Sequence, residues 1–181
     1  MQTAADVLSF WFIEHGPSDW FAGAPDFDGE LAARFAETHA SIARGEGFPW
    51  RISPESRLAE ILVLDQFSRQ LFRGDARAFA QDGMALVLAE EVVAAGLDQH
   101  LPAEKRQFVY MPYMHAESLI VHDEAMRLFA AMPGENWLKY EIPHRLVIAR
   151  FGRFPKRNVA LGRRSTPEEL IYLAESGDSA F

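Results

Sequence analysis

Two segments of the sequence carry the residue types best suited to proton transfer. The segment "YMPYMHAES" holds His115 and Glu117, and "IPHRLVIARFG" holds His144. Histidine titrates close to neutral pH, so with a carboxylate partner it can act as a general base. His115 and Glu117 are two residues apart and would point about 200° apart on one helix. The candidate catalytic residues of a hydrolase or lyase are therefore His115 or His144 as the base, with Glu117 as partner. The alternative is that these side chains bond backbone groups and helix ends.

The same segments do not match a metal or cofactor pattern. His115 and His122 are seven residues apart, whereas helical metal ligands usually lie at i and i+3 or i+4, and there is no HExxH motif. The sequence also lacks GxGxxG, GxxxxGK[ST] and GxSxG, and it has no cysteine, which excludes disulfides and thiolate chemistry. We therefore predict no metal site and no cofactor.

A basic segment, residues 150–164, stands out in a chain of formal charge -8. Its cations are Arg150, Arg153, Lys156, Arg157, Arg163 and Arg164, and no acid lies between them. Pro155 disfavours a helical Phe154, and Gly152 frees the backbone, so residues 151–162 are predicted to form a turn-rich loop between two helices. Arginine presents a planar fork that suits a carboxylate or a phosphate. The loop either completes a pocket for an anion or pairs with some of the 26 acidic residues.

A second polar stripe lies in "LAEILVLDQFSRQLFRG", which is apolar nearly all round and is therefore predicted to be a buried helix. Asp65, Arg69 and Arg73 follow one another at i, i+4 and i+8, with Gln66 beside them. They form either a structural ion pair or one wall of a pocket. The predicted ligand-binding residues are accordingly Asp65, Gln66, Arg69, Arg73, Arg153, Lys156, Arg157 and Asn158.

The elements that position these residues all have helical signals, and no run has the alternation of a strand. Ser53 and Gly74 bound one helix, Asp75 and Gly96 the next, and "STPEEL" is a capping box led by Thr166. Gly83, inside the second of these helices, indicates close packing. Pro112 and Pro143 are expected to interrupt, kink or start the helices around them. We predict one all-α domain, residues 1–181, with about seven or more helices in antiparallel pairs.

Composition limits the partners and the compartment. The longest apolar runs are far shorter than the roughly 20 residues of a membrane span, so no membrane association is expected. The acidic net charge disfavours nucleic acid as a partner. The first residues lack the pattern of a secretion signal, which makes a cytoplasmic location the expectation. The oligomeric state is not indicated.

The polar and aromatic motifs together resemble one family, the bacterial proteins known only as domain of unknown function 924. The matching segments are "VLSFWF", "DWF", "LVLDQFSRQLFRGDARAFAQD", "YMPYMHAES", "HRLVIARFGRFPKRN" and "LGRRSTPEE", in the family's order and across nearly the whole chain. The resemblance implies an all-helical fold similar to tetratricopeptide-like superhelices, and no assigned activity. It also implies a motif set of Asp65, Gln66, Arg69, Arg73, His115, Glu117, His144, Arg153, Arg157 and Asn158. Lys156 stands where the family usually has histidine, and lysine favours anion binding over proton transfer at that position.

Three functional hypotheses follow. In the first, the pocket binds an anionic small molecule or a peptide carboxylate, with Asp65 and Glu117 orienting the arginines. In the second, the protein is a small hydrolase or lyase that uses histidine and glutamate as acid and base. In the third, it is an interaction scaffold whose arginines are locked in internal ion pairs.

Overall fold

Helices supply all the regular structure in residues 1–20, 25–134 and 136–177, the part of the chain that our computed structural model describes. The α-helices are α1 (Ala4–Ser9), α2 (Pro17–Trp20), α3 (Pro25–Ala43), α4 (Pro54–Leu62), α5 (Ser68–Leu71), α6 (Asp82–Ala94), α7 (Ala103–Met114), α8 (Leu119–Ala130), α9 (Leu138–Phe151) and α10 (Pro167–Ser176). Two π-turns, Phe10–Glu14 and Val63–Phe67, extend α1 and join α4 to α5. Short 3₁₀ turns span Phe48–Trp50, Ala76–Ala78, Leu97–His100 and Pro155–Arg157. The predicted all-α class is confirmed; a tetratricopeptide-like arrangement of the helices stays a prediction.

Several helix ends follow local capping signals. The side chains of Ser53 and Thr166 accept backbone N–H bonds from Ser56 and Glu169, so both predicted caps are present. Glu169 completes the capping box of α10 by accepting the Thr166 N–H through its own carboxylate. Gly96 follows α6 with a φ of 66°, a left-handed conformation that glycine adopts without strain.

The start of α6 differs from the prediction. Asp75 does cap, but it accepts the Arg77 N–H and closes only the short turn Ala76–Ala78. The helix itself begins at Asp82, whose carboxylate is held by arginines from two other segments and lies at the positive end of the helix dipole. The close packing expected around Gly83 is also wrong, because a Cβ atom built there would meet no atom within 4 Å.

Neither interior proline ends its helix. Helix α7 continues through the buried Pro112 to Met114, and the break before α8 comes at residues 115–118 instead. Pro143 lies well inside α9, so its predicted role as a possible helix start is wrong. The displaced break matters for the site, because it puts His115 and Glu117 on a connection and not on a helix.

The core is aromatic and lies between α1, α3, α4 and α7. Its largest fully buried side chains include Phe10, Trp11, Phe35, Phe67 and Phe108. Helix α4 packs on α1, α6 and α7, and α6, α7, α8 and α9 pack on one another in sequence order.

A second, smaller core anchors the basic segment. Phe154 is 1% exposed and packs with Val147 and Ile148 of α9, while Phe151 stacks on Tyr172 of α10. Gly152 makes the turn into the loop with a φ of 70°. The start of the predicted loop is thus anchored in a small core, which positions the polar side chains that follow.

Candidate functional site

Asp65 is a buried carboxylate that lies directly behind the candidate site. It lies in the π-turn Val63–Phe67 and is 1% exposed. Its carboxylate accepts a bond from His115 Nδ1 at 2.7 Å and forms an ion pair with Arg69 Nη1 at 3.0 Å, while Arg69 donates to its backbone oxygen. The amide of Gln66 donates to its second oxygen. Burial alone would raise the pKa of Asp65, but Arg69 and His115 outweigh burial and hold it far below its ordinary value. Asp65 is therefore a carboxylate at any ordinary pH.

The Asp65 carboxylate determines which tautomer His115 adopts. Since an ionised Asp65 can only accept, Nδ1 of His115 carries the proton, and Nε2 is left with a lone pair. Burial and the nearby Arg69 cation lower the pKa of His115 below its usual 6.5, despite the attraction of Asp65. The imidazole is therefore neutral near pH 7, with one nitrogen able to accept a proton or a hydrogen bond.

Asp82, at the start of α6, bridges two arginines. Arg69 forks it through Nη1 and Nη2 at 2.9 and 3.0 Å, and Arg157 adds a single bond from Nη1 to Oδ2 at 3.0 Å. Arg157 also donates from Nη2 to the backbone oxygen of His115 at 2.9 Å. The elements joined here are α5, α6, the 115–118 connection and the loop of the basic segment.

Arg157 makes cation–π contacts with two aromatic rings. Its guanidinium carbon lies 4.6 Å from the centre of the Phe79 ring and 4.5 Å from that of Phe154. Its side chain is 13% exposed. Burial, together with the neighbouring Arg69 cation, lowers the pKa of Arg157 to about 10. The Asp82 carboxylate thus offsets only part of the cost of burying this charge.

Glu117 bonds to groups of the basic segment and, within the described residues, does not contact a histidine. It forks Arg163 at 2.6 and 2.9 Å and accepts the Phe154 N–H at 2.7 Å. Burial raises the pKa of Glu117, but the bond from Arg163 outweighs burial and the net shift is downward. The expected pairing of Glu117 with a histidine is corrected, because its oxygens are committed to Arg163 and the loop backbone.

These groups border a cleft of about 380 Å³. The residues that line it, which we call the cleft residues, are Phe79, Asp82, Gly83, Leu86, His115, Ala116, Glu117, Ser118, Val121, Arg157 and Leu161. Among the residues predicted from sequence, His115, Glu117 and Arg157 reach the cleft, and Asp65 and Arg69 lie directly behind them.

A protein family model and a solved structure match this chain over nearly its whole length. A family model described as "Bacterial protein of unknown function (DUF924)" matches residues 7–177. The chain belongs to this family. A solved structure of a family-like protein of unknown function from Agrobacterium tumefaciens, ATU0120, is 41% identical, with a TM-score of 0.89 over 95% of this chain and 97% of that one. No curated protein matches the chain.

In this family member, the remaining predicted residues lie outside the cleft lining. Arg73 pairs with Asp28 and contacts Gln70. Arg153 forks Glu169 at 2.7 and 2.8 Å, and Asn158, fully buried, donates to the same carboxylate at 3.2 Å. The Lys156 ammonium donates to the backbone oxygen of Gly177. Arg153, Asn158 and Lys156 brace the loop against α10 and the residue that follows it, whereas Arg73 ties the segment after α5 to α3.

His144 approaches the site without lining the cleft. Its ring centre is 6.4 Å from that of His115, and its Nδ1 donates to the Tyr140 oxygen at 2.8 Å. Burial lowers its pKa to about 3. His144 is therefore neutral at ordinary pH and adds no charge next to Arg157.

A further histidine, His122, bonds to the backbone of the 115–118 connection. His122 and Glu141 are both fully buried and lie 2.6 Å apart through Nδ1 and Oε1, and Nε2 of His122 donates to the Ala116 oxygen at 3.0 Å. Burial raises the pKa of Glu141. This pair fixes the backbone between His115 and Glu117.

Sequence reasoning missed Asp82, Phe79 and the His122–Glu141 pair. Asp82 closes the motif "AFAQD", which had been assigned to a helix interior. No metal-binding cluster of three or more His, Asp or Glu side chains occurs within the ranges the structure describes. In those ranges, too, every helix falls short of the length and apolar character that crossing a membrane requires.

Proposed function

We propose that the protein binds a small anionic ligand in the cleft, with Arg157 contacting the acidic group. The candidate ligands are small carboxylates, small phosphates and peptide C-termini.

The observation that carries the proposal is the sharing of Asp82. Arg69 donates to both oxygens of this carboxylate, and Arg157 donates a single bond to one of them. Arg153 and Arg163, by contrast, each fork a carboxylate of their own. A buried guanidinium with less than one carboxylate is poorly compensated, and an anion from solution would complete its bonding.

The neighbouring groups suit this role. The cleft volume of about 380 Å³ is near the small end of the range for ligand pockets, roughly 300–1,000 Å³. Contacts with the rings of Phe79 and Phe154 restrict the Arg157 side chain, so less conformational entropy is lost on binding.

Binding is tested by titrating a panel of carboxylates and inorganic phosphate into wild type and Arg157→Ala, with calorimetry or NMR as the readout. Loss of a charge-assisted hydrogen bond should weaken binding by about 10- to 100-fold. Arg145→Ala is the matched control, because Arg145 pairs with Asp123 on the surface and lies outside the cleft lining. Equal affinity in Arg157→Ala and wild type would refute the proposal.

A second candidate function is acid–base catalysis, favoured by the 2.7 Å contact of His115 with Asp65. The partner differs from the one predicted, Asp65 in place of Glu117. With the Nδ1 proton held by Asp65, Nε2 of His115 is oriented as a general base. Hydrolysis of a small ester panel tests this idea. The rate should rise with pH to a plateau, with its midpoint below pH 6.5, the ordinary pKa of histidine, because the pKa of His115 is lowered. An unchanged rate in His115→Ala would exclude it.

The scaffold hypothesis draws support from the internal pairing of Arg69, Arg153 and Arg163. It does not explain why Arg157 is stacked, buried and incompletely paired at a cleft. The binding titration separates the two, because a scaffold predicts no Arg157-dependent affinity for small anions.

A further inference from the structure

The residues that line the cleft also indicate which kind of anion it can bind. This question rests on the proposed function, since it concerns the ligand of the same site.

The acidic residues at the cleft limit the charge of a ligand. Asp82 and Glu117 both line it, whereas Arg157 is the lining cation. The charge of Asp82 is offset by Arg69 and that of Glu117 by Arg163, so neither would repel a single anion seated on Arg157 strongly. A second anionic group on the same ligand would find no second cation among the lining residues to compensate its charge. Polyphosphates and dicarboxylates are therefore disfavoured.

The rest of the wall is apolar. Phe79, Leu86, Val121 and Leu161 all line the cleft, and all four are only partly buried. Leu86 and Val121 rest on the main core, so their exposed sides are held in place. An apolar body placed against these side chains would remove their remaining surface from water.

Gly83 leaves an opening in this wall. It lies in the first turn of α6, where glycine destabilises a helix relative to alanine. Nothing in the described structure requires glycine here, since an added Cβ would meet no atom within 4 Å and the residue is not among those with a positive φ. The side chain that is missing would project from a residue that lines the cleft. The absence of a side chain at Gly83 is explained if a ligand lies over this position.

We infer that the cleft takes a small monoanion with an apolar body, and that this ligand lies over Gly83. Hexanoate, acetate and adipate are the probes, because they separate the apolar body from the second charge. Hexanoate should bind at least about tenfold more tightly than acetate, since each buried CH₂ contributes to affinity. It should also bind at least about tenfold more tightly than adipate, which has the same chain length and a second carboxylate.

The variant Gly83→Ala tests the position of the ligand. It should raise the Tm by about 1–2 °C through helix propensity, and at the same time weaken hexanoate binding at least about fivefold through the added methyl group. Gly29→Ala is the control: Gly29 lies in α3, and its Cβ would also meet nothing within 4 Å, so this change should raise the Tm without altering affinity. Affinities come from chemical-shift titrations of ¹⁵N-labelled protein.

The outcomes separate this inference from the proposed function. Arg157-dependent binding of adipate or inorganic phosphate as tight as that of hexanoate would overturn the ligand class and leave the anion site standing. Hexanoate affinity unchanged in Gly83→Ala would overturn the placement over Gly83. No binding of any of these anions would overturn both the site and the inference.

Discussion

Replacing Arg153 with alanine tests whether the basic segment braces the last helix. Arg153 forks Glu169 through Nε and Nη2 at 2.7 and 2.8 Å and donates to the Arg164 oxygen at 2.9 Å. Glu169 is 2% exposed and also caps α10. Removing the guanidinium leaves a buried carboxylate with only the Thr166 N–H and the Asn158 amide as donors. The change should therefore destabilise the fold.

The magnitude lies between two limits. Exposed ion pairs contribute about 0–1 kcal/mol, whereas removing one partner of a buried pair costs about 3–5 kcal/mol. The Arg153 side chain is 28% exposed and Glu169 keeps two donors, so we expect a loss of about 2 kcal/mol. For a chain of this length, that loss lowers the Tm by about 4–8 °C.

Urea unfolding at pH 7 is the assay, with the slope m expected to stay unchanged. The double variant Arg153→Ala/Glu169→Gln should be more stable than the sum of the single effects, by about 1 kcal/mol or more. Acid titration adds a second readout. The bond from Arg153 lowers the pKa of Glu169 from 4.5 to about 2, so this carboxylate stabilises the fold above pH 4.5 and its contribution is lost as pH falls toward 2. In Arg153→Ala, that loss should occur closer to pH 4.5.

A different result would refute the brace. If Arg153→Ala changed the free energy of unfolding by less than about 0.5 kcal/mol and weakened anion binding instead, Arg153 would belong to the ligand site.

Three other perturbations test the site. Asp82→Asn should destabilise the fold by about 3 kcal/mol in urea unfolding, because Arg157 and Arg69 lose the negative charge that they share. Unchanged stability would refute this reasoning. His144 has its pKa lowered by burial to about 3, so its contribution to stability is present above pH 6.5 and is lost as pH falls toward 3. His144→Asn should therefore flatten the pH dependence of the unfolding free energy between pH 5 and 6.5, and an equal slope in both proteins would contradict the assignment. His122→Ala leaves Glu141 buried without its partner and should cost about 3–5 kcal/mol by urea unfolding; a loss below about 1 kcal/mol would show that the pair does not hold the connection.

The helix ends that could be predicted are those decided within a few residues. The caps Ser53 and Thr166 bond N–H groups three positions ahead, so their sequence context contains the whole interaction. The choice between Asp75 and Asp82 as the start of α6 is different. It involves Arg157, which lies 75 positions away from Asp82, and no local pattern contains that contact.

The ion pairs divide in the same way. Asp65 and Arg69 are four residues apart on adjoining helical turns, and their pairing is expected from spacing alone. Arg163 and Glu117 are 46 residues apart, and the sequence contains many acids that could have taken the place of Glu117. Cation counts and net charge therefore make internal pairing of the basic segment one of two expectations, and they do not indicate which acid each arginine would use.

The functional question depends on how carboxylate oxygens are divided among the guanidinium groups. Arg153 and Arg163 each have both oxygens of one carboxylate, so an incoming anion would have to displace a good internal bond. Arg157 shares Asp82 with Arg69 and contacts the rings of Phe79 and Phe154. In the proposed complex, an anion would add a bond to Arg157 without displacing its own carboxylate. The sequence predicts Arg153, Lys156 and Arg157 alike as ligand-binding cations, and this difference in pairing is the physical reason why we propose Arg157 as the ligand-facing residue.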